Sequence, residues 1–159
     1  MAEHYSRTKW VIDSSSWIEI KERPESERIW PFVERLMEDG IVVSPKQVWD
    51  EIKDDPDIAT RIQPYKQQVI ARRATNQSLI QLEGTITHQF PALSGARGTK
   101  VKADPYVIAH AEHAGLTVVC KESAQRPAKK IPPACNARGV RCESLRTMLS
   151  EEFPDEQWW

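Results

Sequence analysis

At 159 residues, with 40% hydrophobic and 28% charged side chains, the chain has the make-up of an ordinary soluble globular protein, long enough for one domain (1–159) around a sizeable core. A formal net charge of −1 excludes bulk electrostatics as a reason to bind nucleic acid, so any such partner needs a local basic patch. No apolar run approaches the ~20 residues that span a bilayer, and the opening MAEHYSRTKW lacks the apolar centre of a signal peptide, so the expected setting is cytoplasmic with no membrane partner.

Trp10–Asp13 (WVID) is a short apolar run ending in a carboxylate, the pattern of a buried strand. Serines follow at positions suited to capping a helix that begins with Trp17, Ile18 and Ile20. Beyond Arg23-Pro24, residues Ile29, Phe32, Val33, Leu36 and Met37 recur at spacings of three and four, one helical face closed by Gly40. Pro31 falls inside that face as a point of kinking or restart. Ile41–Ser44 (IVVS) reads as a second buried strand, and Pro45 opens a helix through Val48, Trp49 and Ile52. The acidic DDPD at Asp54–Asp57 breaks it. Two more helical stretches are expected over Ile58–Ala74 and Asn76–Phe90, and Pro91–Ala103 is a loop by composition. Asp104-Pro105 then opens a clean helix, PYVIAHAEHA, stopped by Gly115. Thr117–Cys120 (TVVC) is a third strand. A Pro- and Lys-rich loop leads to a fourth at Gly139–Ser144 and a last helix around Leu145–Leu149. The cysteines Cys120, Cys135 and Cys142 are odd in number and form no C-x-x-C pair. Reduced thiols are expected, not a disulfide framework or a zinc knuckle.

Strands separated by helices imply a parallel α/β sheet, whose ligands bind outside the carboxyl ends of the strands at the topological switch point. Four acids fall near that end: Asp13 closes the first strand, Glu51 lies on the helix after the second, Asp104 starts the helix before the third, and Glu122 follows the third. Each has a plain structural reading. Asp104 before proline suits a helix N-cap, and Glu51 and Glu122 suit a solvated helix and loop. Asp13 is harder to place that way, because a carboxylate straight after a buried apolar strand needs partners. Gathered together, the acids would repel unless a cation neutralised them, and hard divalent ions take oxygen ligands while keeping several waters. Other chemistries lack their marks. There is no G-x-G-x-x-G, P-loop or G-x-S-x-G, and Ser15 stands where a phosphoaspartyl transferase carries its second carboxylate. His110 and His113 have no cysteine or third histidine placed to complete a zinc site.

The segments VIDSSS, SPKQVWDEI, KADPYVIAHA and TVVCKE resemble, in order, the four acidic motifs of PIN-domain nucleases, and KIPPACNARGVRCESL extends the likeness over nearly the whole chain. The resemblance is to a PIN-like subgroup of prokaryotic proteins related to the toxin ribonucleases of toxin–antitoxin pairs. It implies a three-layer α/β/α fold with a central parallel sheet of four or five strands. It also implies Mg2+- or Mn2+-dependent RNA cleavage, with one or two ions held by Asp13, Glu51, Asp104 and Glu122, and with Ser15 as a supporting polar residue. An antitoxin protein and a second protomer are the implied protein partners. The fourth motif departs from the family's Thr-x-Asp, since here it is Cys120-Lys121-Glu122. That departure motivates the alternative of a catalytically weak or inactive PIN-fold binding module. For the RNA itself, Arg97, Lys100 and Lys102 precede Asp104, and Arg126, Lys129, Lys130, Arg138 and Arg141 occupy an acid-free stretch at Ser123–Cys142. Basic loops beside an acidic centre suit a phosphodiester backbone, and a solvated charge run is the competing reading. Trp158 and Trp159 are expected either to pack on the core or to dock a partner.

Overall fold

The apolar run Trp10–Ile12 forms a strand, β1, that is buried along its whole length. In the computed structural model, which describes residues 7–72, 74–94, 102–121 and 131–159, β1 lies between β2 (Val42–Val43) and β3 (Thr117–Val119), and β4 (Cys142–Glu143) pairs with the far side of β3. Every pairing is parallel, in the order β2-β1-β3-β4. Parallel neighbours cannot be joined by a tight turn, so each connection crosses the sheet with helices. Helices α1 (Ser14–Glu22) and α2 (Ser26–Glu38) join β1 to β2. Between β2 and β3 come α3 (Lys46–Ile52), α4 (Pro56–Ile62), α5 (Lys66–Val69), α6 (Gln77–Gln89) and α7 (Asp104–Ala114). Helix α8 (Ile131–Arg138) precedes β4, and α9 (Leu145–Glu152) follows it. The result is a mixed α/β protein with an all-parallel sheet flanked by helices, as a three-layer α/β/α fold requires. A lone parallel bridge between Ser44 and Ile70 extends the β2 edge without making a full fifth strand.

The core follows from the period of each element. Helix α1 turns Trp17 and Ile20 inward, α2 turns Ile29, Val33 and Met37, and α7 turns Val107, Ile108 and Ala111. Helix α7 packs on β1 and β3, and α6 packs along α7. Because α7 ends at Ala114, just before β3, it runs back against the strands. Its 11 residues rise ~16 Å and return its N-terminus to the carboxyl end of the sheet. Gly115 stops it in the left-handed region at φ 69°, where a glycine carries no side-chain penalty.

Four local expectations differ from the structure. The stretch 58–74 is not one helix. It breaks at a 3-10 turn over Gln63–Tyr65 and stops at Val69, because the Ser44 backbone takes the Val69 carbonyl and gives its own to Ala71 N–H, leaving Ile70 extended. The loop expected before Cys142 contains α8, with Pro132 and Pro133 in its first turn, where backbone N–H groups need no partner inside the helix. The fourth strand shrinks to Cys142–Glu143, since Ser144 caps α9 through the Thr147 N–H at 3.1 Å. Helix α2 runs on through Pro31, its apolar face holding it together.

Candidate functional site

The strand order places the topological switch point between β1 and β3: the chain leaves β1 for β2 on one side and returns to β3 on the other. Asp13 sits there. Its backbone N–H extends the pairing by donating to the Val119 carbonyl at 3.0 Å, and its residue is only 3% exposed. The helix cap expected from the serines is supplied by Asp13 itself. Its Oδ2 accepts from Ser15 N–H at 3.2 Å and from the Ser15 hydroxyl at 2.6 Å. Ser15 Oγ in turn accepts from the Lys121 backbone N–H at 3.1 Å, tying the end of β3 to the start of α1. Ser15 thus holds one oxygen of Asp13 and ties it to the end of β3.

Glu51, in the last turn of α3, is exposed, yet it is drawn to the same corner, where its Oε1 accepts from Ser14 Oγ at 2.6 Å. Its neighbour Asp50 takes a different course. Lys46 donates to Asp50 at 2.9 Å and Lys53 lies at 3.5 Å, and the Lys46 hydrogen bond holds the Asp50 carboxyl below its ordinary range. Of the two consecutive acids, Glu51 is thus the one that reaches α1. Asp13 and Glu51 are held by consecutive serines in the first turn of one helix.

Asp104 begins α7 and does not cap it. Ala103 is the N-cap residue, and no side chain makes the capping bond. Half-buried Asp104 and exposed Lys102 belong to the carboxyl end of the sheet by the run of α7. Among the described residues, no three His, Cys, Asp or Glu side chains form a group able to hold an ion. Glu122, Arg97, Lys100, Arg126, Lys129 and Lys130 lie outside the described residues.

Two cations of the acid-free stretch are engaged within the protein. Arg138 grips Glu112 through two bonds of 2.7 Å and also meets Gln89. Arg141 is bound by Glu143 and Glu151 and lies over the Trp10 ring, at the opposite end of the sheet from Asp13, beside a cleft of about 370 Å³. Neither is placed to grip a chain passing Asp13.

Cys120 is buried with its Sγ 3.3 Å from that of Cys142 on the edge strand. Contact with Cys120 favours the Cys142 thiolate. The hydrogen bond with Cys135 and burial outweigh it and push the Cys142 thiol up to about 12. Cys142 is thus a packed, protonated thiol. His110 is buried against α6, with Nε2 3.8 Å from Glu83. Burial, and then His113, lower its pKa to about 4, so it is a neutral core histidine.

Sequence reasoning gave Ser14 no link to Glu51 and did not single out Ser44. Both stand directly at a strand end, Ser14 beside Asp13 and Ser44 at the close of IVVS, and that position was their one visible signal. The side-chain groups bonded to one another at this corner are carboxylate and hydroxyl oxygens, and the imidazole of His110 is buried elsewhere. Such a donor set fits a hard divalent ion, which needs only one or two carboxylates and keeps its waters. The fold and this corner define a parallel α/β protein with Asp13 at its switch point and Glu51 bonded to the adjoining Ser14. The chain belongs to DUF4411, a domain of unknown function, whose family model matches residues 10–154. No curated protein matches it.

Proposed function

We propose that the protein is a metal-dependent endoribonuclease of the PIN type, cytoplasmic, and the toxin component of a toxin–antitoxin pair. The observation that carries the reading is the buried Asp13 at the switch point, with Glu51 drawn to the adjoining serine. Asp13, Glu51, Asp104 and Glu122 would hold one or two Mg2+ or Mn2+ ions. When bound, such ions neutralise the acids, activate water and stabilise the departing oxygen of a phosphodiester. Ser15 fixes the orientation of Asp13 by holding one oxygen. Lys102, with Arg97, Lys100, Arg126, Lys129 and Lys130, would supply the phosphate grip. An antitoxin protein and a second protomer are the further proposed partners.

Purified protein is expected to cleave single-stranded RNA with Mg2+ or Mn2+ and to lose that cleavage on Asp13→Asn. Equal cleavage by the variant, prepared free of contaminating nuclease, sinks the assignment. A second reading, a PIN-type module without catalysis, draws on Cys120, whose side chain is buried against Cys142 where PIN-domain nucleases present a threonine hydroxyl. It predicts no acid-dependent cleavage and no Mn2+ binding at millimolar concentration.

A further inference from the structure

Ser14 has a hydroxyl that the helix does not need. The N-cap of α1 is Asp13, which accepts from Ser15 N–H, while Ser14 Oγ reaches across to another helix and donates to Glu51 Oε1 at 2.6 Å. That length is typical of a strong O–H···O⁻ bond to an ionised carboxylate. It joins two elements that also pack together, α1 and α3. Without it, Glu51 is an exposed residue near the end of a seven-residue helix, with a long side chain free to sample solvent. Glu51 Oε2 makes no hydrogen bond to a described residue, so the serine takes one oxygen and leaves the other for a ligand.

We propose that Ser14 is a positioning residue that sets Glu51 for cation binding, the counterpart of Ser15 on Asp13. The inference rests on the metal-dependent reading above and goes beyond it by assigning a residue that binds no ion itself. One turn of α1 then orients both carboxylates: the hydroxyl of its first residue fixes the acid from α3, and that of its second fixes the acid just after β1. Groups that orient ligands from outside the coordination shell commonly change metal affinity by about 10–100-fold when removed.

The test is a Mn2+ titration by calorimetry at neutral pH on the full chain, with the folded state of each variant checked by circular dichroism. Five proteins are compared with wild type: Ser14→Ala, Ser14→Thr, Glu51→Gln, the Ser14→Ala/Glu51→Gln double variant, and Asp13→Asn. Ser14→Ala is expected to weaken Mn2+ binding about tenfold, and Ser14→Thr, which keeps the hydroxyl, to restore it. The double variant should bind no more weakly than Glu51→Gln alone, because both changes remove the same arrangement. The proposal is overturned, with the metal reading intact, if Glu51→Gln weakens binding while Ser14→Ala does not. It is equally overturned if Ser14→Thr is as weak as Ser14→Ala, if the two losses simply add, or if Glu51→Gln binds like wild type. A wild type that takes up no Mn2+, or takes it up as well after Asp13→Asn, removes the metal reading and this inference with it.

Discussion

The indole Nε1 of Trp17 donates to the hydroxyl of Ser44 at 2.9 Å, with both side chains fully buried. Ser44 Oγ passes the chain of bonds on to the carbonyl of Ile12, the residue before Asp13. One hydroxyl thereby joins α1, the end of β2 and the end of β1, and fixes the backbone from which Asp13 projects. Replacing Ser44 by alanine leaves a buried indole N–H without its acceptor, a loss of about 1–3 kcal/mol. Urea denaturation of Ser44→Ala should show that destabilisation. A change within about 0.5 kcal/mol, the range of an ordinary surface substitution, would contradict this account of the strand ends.

Asp13 has two separable duties, capping α1 and presenting charge. Asparagine caps a helix about as well as aspartate, whereas alanine costs about 0.5–2 kcal/mol. Asp13→Asn is therefore expected to remain close to wild type in metal-free stability, with Asp13→Ala clearly lower. Chemical denaturation of both variants checks this, and equal stabilities would mean that the 3.2 Å bond from Ser15 N–H contributes nothing. On the proposed function, both variants lose Mn2+ uptake. Asparagine thus separates the charge from the cap.

The opening strand was legible because WVI is apolar throughout, as a strand covered on both faces must be. The same held for VV and for Val118–Val119, while the helix starts at Asn76 and Pro105 were marked by capping and proline. Strand order followed less directly, since only the pairing shows that β1 sits between β2 and β3. What the residues hid was non-local. Nothing in IPPACNAR marks a helix until Ile131, Ala134 and Cys135 are seen to be buried together. Ile70 reads as helix by its neighbours and is extended because Ser44 claims the backbone on either side of it. At the site, Asp13 and Glu51 were identifiable by position. Ser15 was expected beside Asp13, but the reach of Ser14 to Glu51 was not, because a run of three serines after an aspartate looks the same whether it caps a helix or reaches across to α3.

Trp158 packs back on the protein. It meets Phe32 edge to face at 5.1 Å between ring centroids, and Arg28 lies 4.8 Å over its ring. Arg28 also holds the Gln157 carbonyl at 2.6 Å and Glu156 at 3.1 Å, so the segment after α9 is fastened to α2 at several points. The indole is half-buried, so truncation should cost less than the 3–5 kcal/mol typical of a fully buried tryptophan, about 1–3 kcal/mol. Thermal denaturation of Trp158→Ala measures it. An unchanged melting temperature would mean that the aromatic contact with α2 is not formed in solution.

His110 gives a pH dependence whose sign can be worked out. Burial lowers its pKa in the folded protein from 6.5 to about 4, with His113 adding to the effect. At 3.8 Å, Glu83 is too far to form the hydrogen bond that would retain the proton. Between those two pH values the unfolded chain binds a proton that the folded protein does not. Stability from this residue is therefore present above pH ~6.5 and lost as pH falls toward 4, by about 3 kcal/mol at the lower end. Carboxylates add their own acid dependence, so the informative quantity is the difference between wild type and His110→Gln, which cannot take up the proton in either state. Denaturation at pH 7, 6, 5 and 4 should show the wild type losing stability faster than the variant, with the gap changing most between pH 6 and 4. Parallel curves would mean that His110 titrates alike in the folded and unfolded chains, and that α6 does not seal it from water.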